Sequence, residues 1–215
     1  MICGVDEAGR GPVIGPLVVC GVAVESDAEL RAIGVRDSKR LSASRRAEME
    51  PRIRSVARVE VVEVQAEEID ALRESMTMNE LEARVFATII ERLSPGTAYV
   101  DAADADEAEF GRMVQAQLRC GALMHSRHRA DETFPVVSAA SVVAKVARDA
   151  RVREIEAEIG RPIGSGYTSD PKTVSFLRGW IGERGSLPPH TRRSWATSQN
   201  LMMLNGLRRL DSFEG

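Results

Sequence analysis

Residues 1–24, "MICGVDEAGRGPVIGPLVVCGVAV", set two short Val-rich runs on either side of a segment holding three glycines and two prolines. That punctuation constrains the fold more than any other feature of the chain. Short apolar runs bounded by breakers read as buried strands, here over 1–5 and 16–24, with a glycine-rich turn between them. A G-x-G loop after a strand invites a dinucleotide-binding fold, but that fold needs the glycines to open a helix. Here Pro12 and Pro16 interrupt the chain and a second strand follows. The glycines instead let backbone amides come close to a ligand, and Arg10 adds a cationic fork suited to phosphate.

The remaining pattern alternates strands and helices. Residues 42–56 read as a helix capped by Ser42 or Ser44, and "ARVEVVEVQ" (57–65) as a half-exposed strand. Residues 79–93 carry Leu81, Val85, Ile89 and Leu93 at four-residue steps, the mark of an amphipathic helix. A strand follows at 97–103, a helix in "EAEFGRMVQAQL", a weaker strand at 122–128 and a long helix over 138–159; a "GSGYTSDP" loop and two more helical segments complete the chain. This order predicts an α/β protein with a mixed sheet and helices on both faces. The expected division is a catalytic domain over 1–160 and a helical extension over 161–215.

Composition narrows the class without deciding function. A chain of 215 residues that is 43% hydrophobic can bury a sizeable core. Its apolar runs are too broken to span a membrane, and the N-terminus lacks a signal-peptide pattern. Cys3, Cys20 and Cys120 are odd in number and form no CxxC pair, which suits a reducing cytoplasm better than a disulfide frame or a zinc site. The net charge is −3, yet residues 36–54 hold seven Lys/Arg against three acids, and residues 101–109 hold five acids and no base. Such segregation fits an anionic pocket beside a cationic track, but on charge alone two solvated faces are the preferred reading.

The acids give the chemistry. Asp6 and Glu7 stand where one apolar strand stops, and Asp101 stands in the same place after "TAYV". Strand ends are where α/β sheets gather ligand-binding side chains. Asp131 lies just before a helix. Four carboxylates with no histidine or cysteine ligand nearby suit hard cations, Mg²⁺ or Mn²⁺, rather than zinc. A pair of such ions ~3.5–4 Å apart serves in-line attack of water on a phosphodiester. Asp104, Asp106 and Glu107 are expected to cap the helix that follows.

The blocks "DEAGRGPVIGPLVV", "VRDSKRLS", "YVDAAD", "HRADETFPVVSAASVVAKVARD" and "GSGYTSDP", in this order from residue 6 to 171, resemble ribonuclease HII, the type 2 ribonuclease H family, in its archaeal-type form. The resemblance covers roughly four-fifths of the chain, and ordered blocks are far more specific than one motif. It implies a ribonuclease H-like fold, a five-stranded mixed sheet flanked by helices with a C-terminal helical extension. It implies that Asp6, Glu7, Asp101 and Asp131 are the metal-binding catalytic carboxylates. Gly9, Arg10 and Gly11 would contact the 2′-hydroxyl of the ribonucleotide, and Tyr167 would stack on the sugar beside the scissile junction. The activity implied is hydrolysis of the RNA strand of RNA–DNA hybrids and incision at ribonucleotides embedded in duplex DNA, leaving 5′-phosphate and 3′-hydroxyl ends.

Residue-level reasoning runs alongside. Telling RNA from DNA means sensing a 2′-hydroxyl, which backbone groups of a glycine loop can reach. Tyr167 lies between glycines and a proline, so it is presented rather than packed. Ser138, Ser141, Lys145 and Arg148 recur at helical spacing and form a stripe suited to a phosphate track. Lys39 and Arg40 are weaker candidates for gripping the backbone. His125 and His128 lie in a strand-like segment, where a spacing of three sends them to opposite faces, and are read as structural; His190 is read as surface. The tail "LRRLDSFEG" is a degenerate sliding-clamp motif, with Leu207 in place of glutamine, so residues 207–213 are expected either to dock on a clamp or to cover the core. A cytoplasmic monomer is expected. A non-catalytic binding module on the same fold would show a damaged acid set or a lost tyrosine, and neither is seen.

Overall fold

The structure, a computed structural model, describes residues 1–35 and 41–211, the last five as backbone. In chain order its elements are β1 (Ile2–Ala8), β2 (Leu17–Val24), α1 (Ala28–Ile33), α2 (Ala43–Val56), β3 (Arg58–Val64), α3 (Ala66–Leu72), α4 (Met78–Leu93), β4 (Thr97–Asp101), α5 (Glu107–Gln115), β5 (Leu123–Arg127), α6 (Ala130–Thr133), α7 (Pro135–Ile159), α8 (Pro171–Arg184) and α9 (Ala196–Asp211). The strands form one five-stranded sheet in the order β3-β2-β1-β4-β5. β1 pairs antiparallel with β2 and parallel with β4, and β4 pairs parallel with β5. The sheet is therefore mixed, as the sequence predicts, with β1 at its centre.

The chain divides into two compact units: Met1–Ala8, Val18–Glu63 and Met76–Arg148 in the first, Gly9–Leu17, Val64–Ser75 and Asp149–Gly215 in the second. In the first unit, two glycines show how closely helices cover the central strands. A Cβ on Gly4 would overlap the carbonyl carbon of Val136, so α7 lies backbone-to-backbone on β1. A Cβ on Gly21 would overlap Cγ2 of Ile89, which puts α4 on the other face. Successive strand residues point to opposite faces. Gly4 and Asp6 thus share the α7 face, while Val5 and its register partner Gly21 share the α4 face.

The helices form for local reasons as well. α4 begins with a reciprocal capping box between Thr77 and Glu80, and its expected stripe of Leu81, Val85, Ile89 and Leu93 is buried. Phe86 of α4 meets Phe110 of α5 edge-to-face at 5.3 Å. α7 starts at Pro135, three residues before the expected position, because proline is at home in a first helical turn. Its N-terminal half is apolar nearly all round: Val136, Val137, Ala139, Ala140, Val142, Val143 and Ala144 are all buried.

The second unit has its own core of Val13, Ile14, Val152, Ile155, Ile163 and Leu177. α8 is opened by the Asp170 cap with Pro171 next to it, and closed by Gly185 in the left-handed region. Among the described residues, no helix is long and apolar enough to cross a membrane.

Candidate active site

Register brings the acids together. Val5 of β1 pairs with Val100 of β4, so Asp6 and Asp101, each the next residue on, stand on the same face just past that parallel pairing. Asp101 closes β4, whereas β1 runs on to Ala8 beside β2. Asp131 arrives from α6, which follows β5 after a turn through Arg129, held at φ 55. The ligand atoms of Asp6, Asp101 and Asp131 lie within 4.8 Å of one another. Asp6 and Asp131 are buried and Asp101 is half-buried. Asp101 accepts a hydrogen bond from the Ala130 amide at 3.1 Å, which ties the end of β4 to the start of α6.

Glu7 stands outside that group. Adjacent residues of an extended strand point to opposite faces, so the α7 face receives Asp6 and not Glu7. Glu7 is coupled to the site through its backbone, its amide donating to Asp6 Oδ1 at 2.8 Å.

Like charges about 5 Å apart repel by roughly 3 kcal/mol at an effective dielectric near 20. Burial is the largest influence on Asp6 and lifts its carboxyl to about 6; Asp101 adds to the rise, whereas Lys145, the Ser141 hydroxyl and the Glu7 amide oppose it. The Lys145 ammonium also donates to Ser141 Oγ. A set of carboxylates gathered this closely suits a hard divalent ion held by oxygen alone. The cluster fits the metal that the sequence implies.

The stripe on α7 is corrected by the structure. Ser138 and Ser141 are fully buried and Arg148 nearly so, and Ser138 donates its hydroxyl to the Val35 carbonyl. These residues line the interior rather than an open phosphate track, because the N-terminal half of α7 is a core helix with no solvated face. What the stripe supplies is Ser141 and Lys145 at the back of Asp6. Lys39 and Arg40 lie outside the described residues, as do the side chains of the tail motif at 207–213.

The histidines are structural. The His125 ring stacks on Tyr99 at 5.1 Å, with Phe134 on Tyr99 at 4.3 Å. His128 falls just beyond β5, where its amide donates to Glu107. Asp106 caps α5, accepting from the amides of Ala108 and Glu109, as expected. His190 is less exposed than its polar neighbourhood suggests, with a side chain 19% accessible and paired to Glu158 at 2.9 Å.

The glycine loop belongs to the second unit. There the Gly166 carbonyl accepts from the amides of Val13 and Ile14, so the "GSGY" loop is bound to the "GRGPVI" loop. The Tyr167 ring follows, its Cε1 lying 3.9 Å from where a Cβ on Gly11 would stand. Gly11 and Tyr167, singled out separately in the sequence, are neighbours. Sequence reasoning missed Arg192 and Trp195, which grip the same loop; nothing in "TRRSW" distinguishes a buried arginine from an exposed one.

A mixed five-stranded sheet, helices on both faces and a carboxylate cluster just past the parallel pairing of the central strands define the ribonuclease H-like class of α/β proteins. A family model for ribonuclease HII matches residues 3–198. Ribonuclease HII of Methanothrix thermoacetophila is 48% identical over 204 residues, which cover 94% of this chain and 97% of its own. Among solved structures, ribonuclease H2 of Pyrococcus horikoshii aligns with a TM-score of 0.89 at 38% identity, covering 95% of this chain and 98% of that one. The enzyme in the PCNA:RNase HII complex from Archaeoglobus fulgidus aligns at 0.86 with 42% identity, covering 94% and 96%. The chain belongs to the ribonuclease HII family. It is a hydrolytic nuclease, of a family that cuts the RNA strand of RNA–DNA hybrids with the help of divalent metal ions.

Proposed function

We propose that this enzyme also incises duplex DNA at single embedded ribonucleotides, leaving 5′-phosphate and 3′-hydroxyl ends. The observation that carries the reading is the close trio of aspartates, two buried and one half-buried, an arrangement that costs stability unless cations occupy it. Asp6, Asp101 and Asp131, with Glu7 as the fourth carboxylate, would hold two Mg²⁺ or Mn²⁺ ions. Bound there, the ions would supply an activated water and neutralise charge on the phosphate.

The chain's own residues do the rest. Lys145 and Ser141 hold Asp6 ionised against its burial and keep the trio ready to bind cations. Gly9, Arg10 and Gly11 sense the 2′-hydroxyl with backbone groups, and Tyr167 packs against the sugar beside them. Residues 161–215 thus take part in substrate binding by carrying Tyr167. Lys145, beside Asp6, is also the cation of the α7 stripe best placed to meet a phosphate, and Lys39 is a further candidate for gripping the nucleic-acid backbone. The protein acts as a cytoplasmic monomer, and residues 207–213 dock on a sliding clamp, a reading favoured by the Archaeoglobus fulgidus relative solved with PCNA.

The test is cleavage of a labelled duplex with one ribonucleotide in one strand, with Mg²⁺, Mn²⁺ or chelator. A metal-dependent nick at the ribonucleotide, absent in Asp101→Asn and weakened in Tyr167→Ala, is expected. A wild-type enzyme that cuts long hybrids but leaves this duplex intact would overturn the reading.

A further inference from the structure

The loop after β1 is gripped by its carbonyls. Arg192 is fully buried, and its guanidinium donates from Nε to the Gly15 carbonyl at 3.1 Å, from Nη1 to the Arg10 carbonyl at 2.7 Å and from Nη2 to the Gly9 carbonyl at 2.5 Å. Trp195 donates Nε1 to the Gly11 carbonyl at 3.2 Å, and the guanidinium lies 4.8 Å from the centroid of its ring. Main-chain pairing fixes the approach: the Gly15 amide donates to the His190 carbonyl and the Arg192 amide to the Val13 carbonyl, both at 2.9 Å. Two side chains therefore take up the carbonyls of Gly9, Arg10, Gly11 and Gly15.

This arrangement dictates where the loop's donors go. Among the described residues no peptide bond is cis. In a trans peptide the C=O and the following N–H point in opposite directions. With the carbonyls of Gly9 and Arg10 turned onto Arg192, the amides of Arg10 and Gly11 are turned away from it. Pro12 has no N–H, so the run of donors ends at Gly11. Gly9 sits at φ 89, which a side chain would resist, and its freedom allows the turn. The result is two successive amides pointing away from Arg192, with the Tyr167 ring next to the second residue, Gly11.

We propose that Arg192, assisted by Trp195, is a positioning residue for ribose recognition: it holds the glycine loop by its carbonyls so that the Arg10 and Gly11 amides face the sugar hydroxyl. The inference rests on the proposal that this loop senses the 2′-hydroxyl. A planar fork with several fixed donors can hold carbonyls that are spread apart, and a lysine ammonium cannot match that geometry. An arginine that served only to hold the fold would be blind to the sugar.

The test uses the full chain as wild type, Arg192→Lys and Trp195→Phe. Its main readout is the ratio between the inhibition constant of an all-DNA duplex and the KM of the same duplex with one ribonucleotide. Both variants are expected to keep the all-DNA constant within about twofold, since phosphate contacts set it, and to lose about tenfold of the ratio in Arg192→Lys. The Trp195→Phe loss should be smaller, since it removes one donor and keeps a ring beneath the guanidinium. Amide ¹H–¹⁵N signals of Arg10 and Gly11, read without substrate, should move in both variants. An unchanged ratio in variants that melt like wild type overturns the proposal. If Arg192→Lys fails to fold, Trp195→Phe decides it by the same ratio. A wild-type ratio near one overturns the loop-sensing reading itself, whereas unmoved Arg10 and Gly11 signals overturn the clamp whatever the substrates do.

Discussion

At the residue scale, the three gathered aspartates, which we propose hold metal, are also a cost to stability when no cation is bound. Asp101 is the place to separate the two. Asparagine keeps the oxygen that accepts from the Ala130 amide at 3.1 Å, while removing one of the charges confined within 4.8 Å. Asp101→Asn should lower cleavage by roughly a hundredfold or more in saturating Mg²⁺. Without divalent ions, the same variant should melt about 2–4 °C higher than wild type, the shift that ~1 kcal/mol produces in a chain of this size. Paired assays of rate and melting temperature check this, and a cation-free melting point below wild type would refute the repulsion argument. The acids of the trio were legible in the sequence through the ordered blocks that hold them, Asp6 and Asp101 after apolar runs and Asp131 just before a helix. A lone acid in such a place is most often a cap or a surface charge. Adjacent strand positions bring Asp6 and Glu7 to the site by different routes: the Asp6 carboxylate joins the gathered trio, and Glu7 meets Asp6 through its amide.

At the scale of elements, the contacts that matter most are those in which a side chain is missing. Gly4 admits the backbone of α7, and Gly21 admits the ends of Ile89 and Leu93 from α4. The obstacles differ in kind. Main chain cannot step aside, whereas Cγ2 of an isoleucine and Cδ1 of a leucine can rotate or shift. Gly4→Ala should therefore cost more than the ~1–3 kcal/mol usual for overpacking, and Gly21→Ala should fall within it. Chemical denaturation of the two variants gives the order, and the reverse order would mean that α7 has more freedom than its fit suggests. Most elements were readable from periodicity, as with the four-residue steps of α4. The stripe on α7 was read correctly as a stripe and wrongly as a surface, because spacing gives the face of a helix and not what lies against that face. α3 escaped altogether: it is about two turns long and opens on a Gln65–Glu68 box, and glutamine is not among the residues that announce a helix start.

At the scale of the whole molecule, binding to the native state alone must show as stability. If the trio holds a divalent ion, Mg²⁺ or Mn²⁺ at about a hundred times its dissociation constant should add about 2.7 kcal/mol. Thermal melts across a metal titration measure it, and Asp101→Asn should respond much less than wild type. Acid acts in the other direction. Glu91 accepts from the amides of Cys120 and Arg119, which holds its carboxyl below the ordinary 4.5. A carboxyl lowered in the folded state stabilises at pH above its unfolded value, and that contribution disappears as pH falls through the folded value. Between about pH 5 and 3, stability should therefore decline less steeply in Glu91→Gln than in wild type; denaturant midpoints at several pH values would show it, and parallel slopes would exclude the effect.

The grip of Arg192 on the opening motif has a consequence in time. Gly9 and Arg192 are 183 residues apart in sequence. β1 and β2 can find each other as soon as both have been made, but the turn between them waits for a partner translated much later. Long-range closures of this kind are the slow ones in folding. During synthesis, the strand that carries Asp6 leaves the ribosome long before the group that shapes the loop after it. A growing or interrupted polypeptide can thus pair β1 with β2 before the loop between them is gripped. If that loop reads the ribose, as proposed, choice of the sugar waits on the later segment.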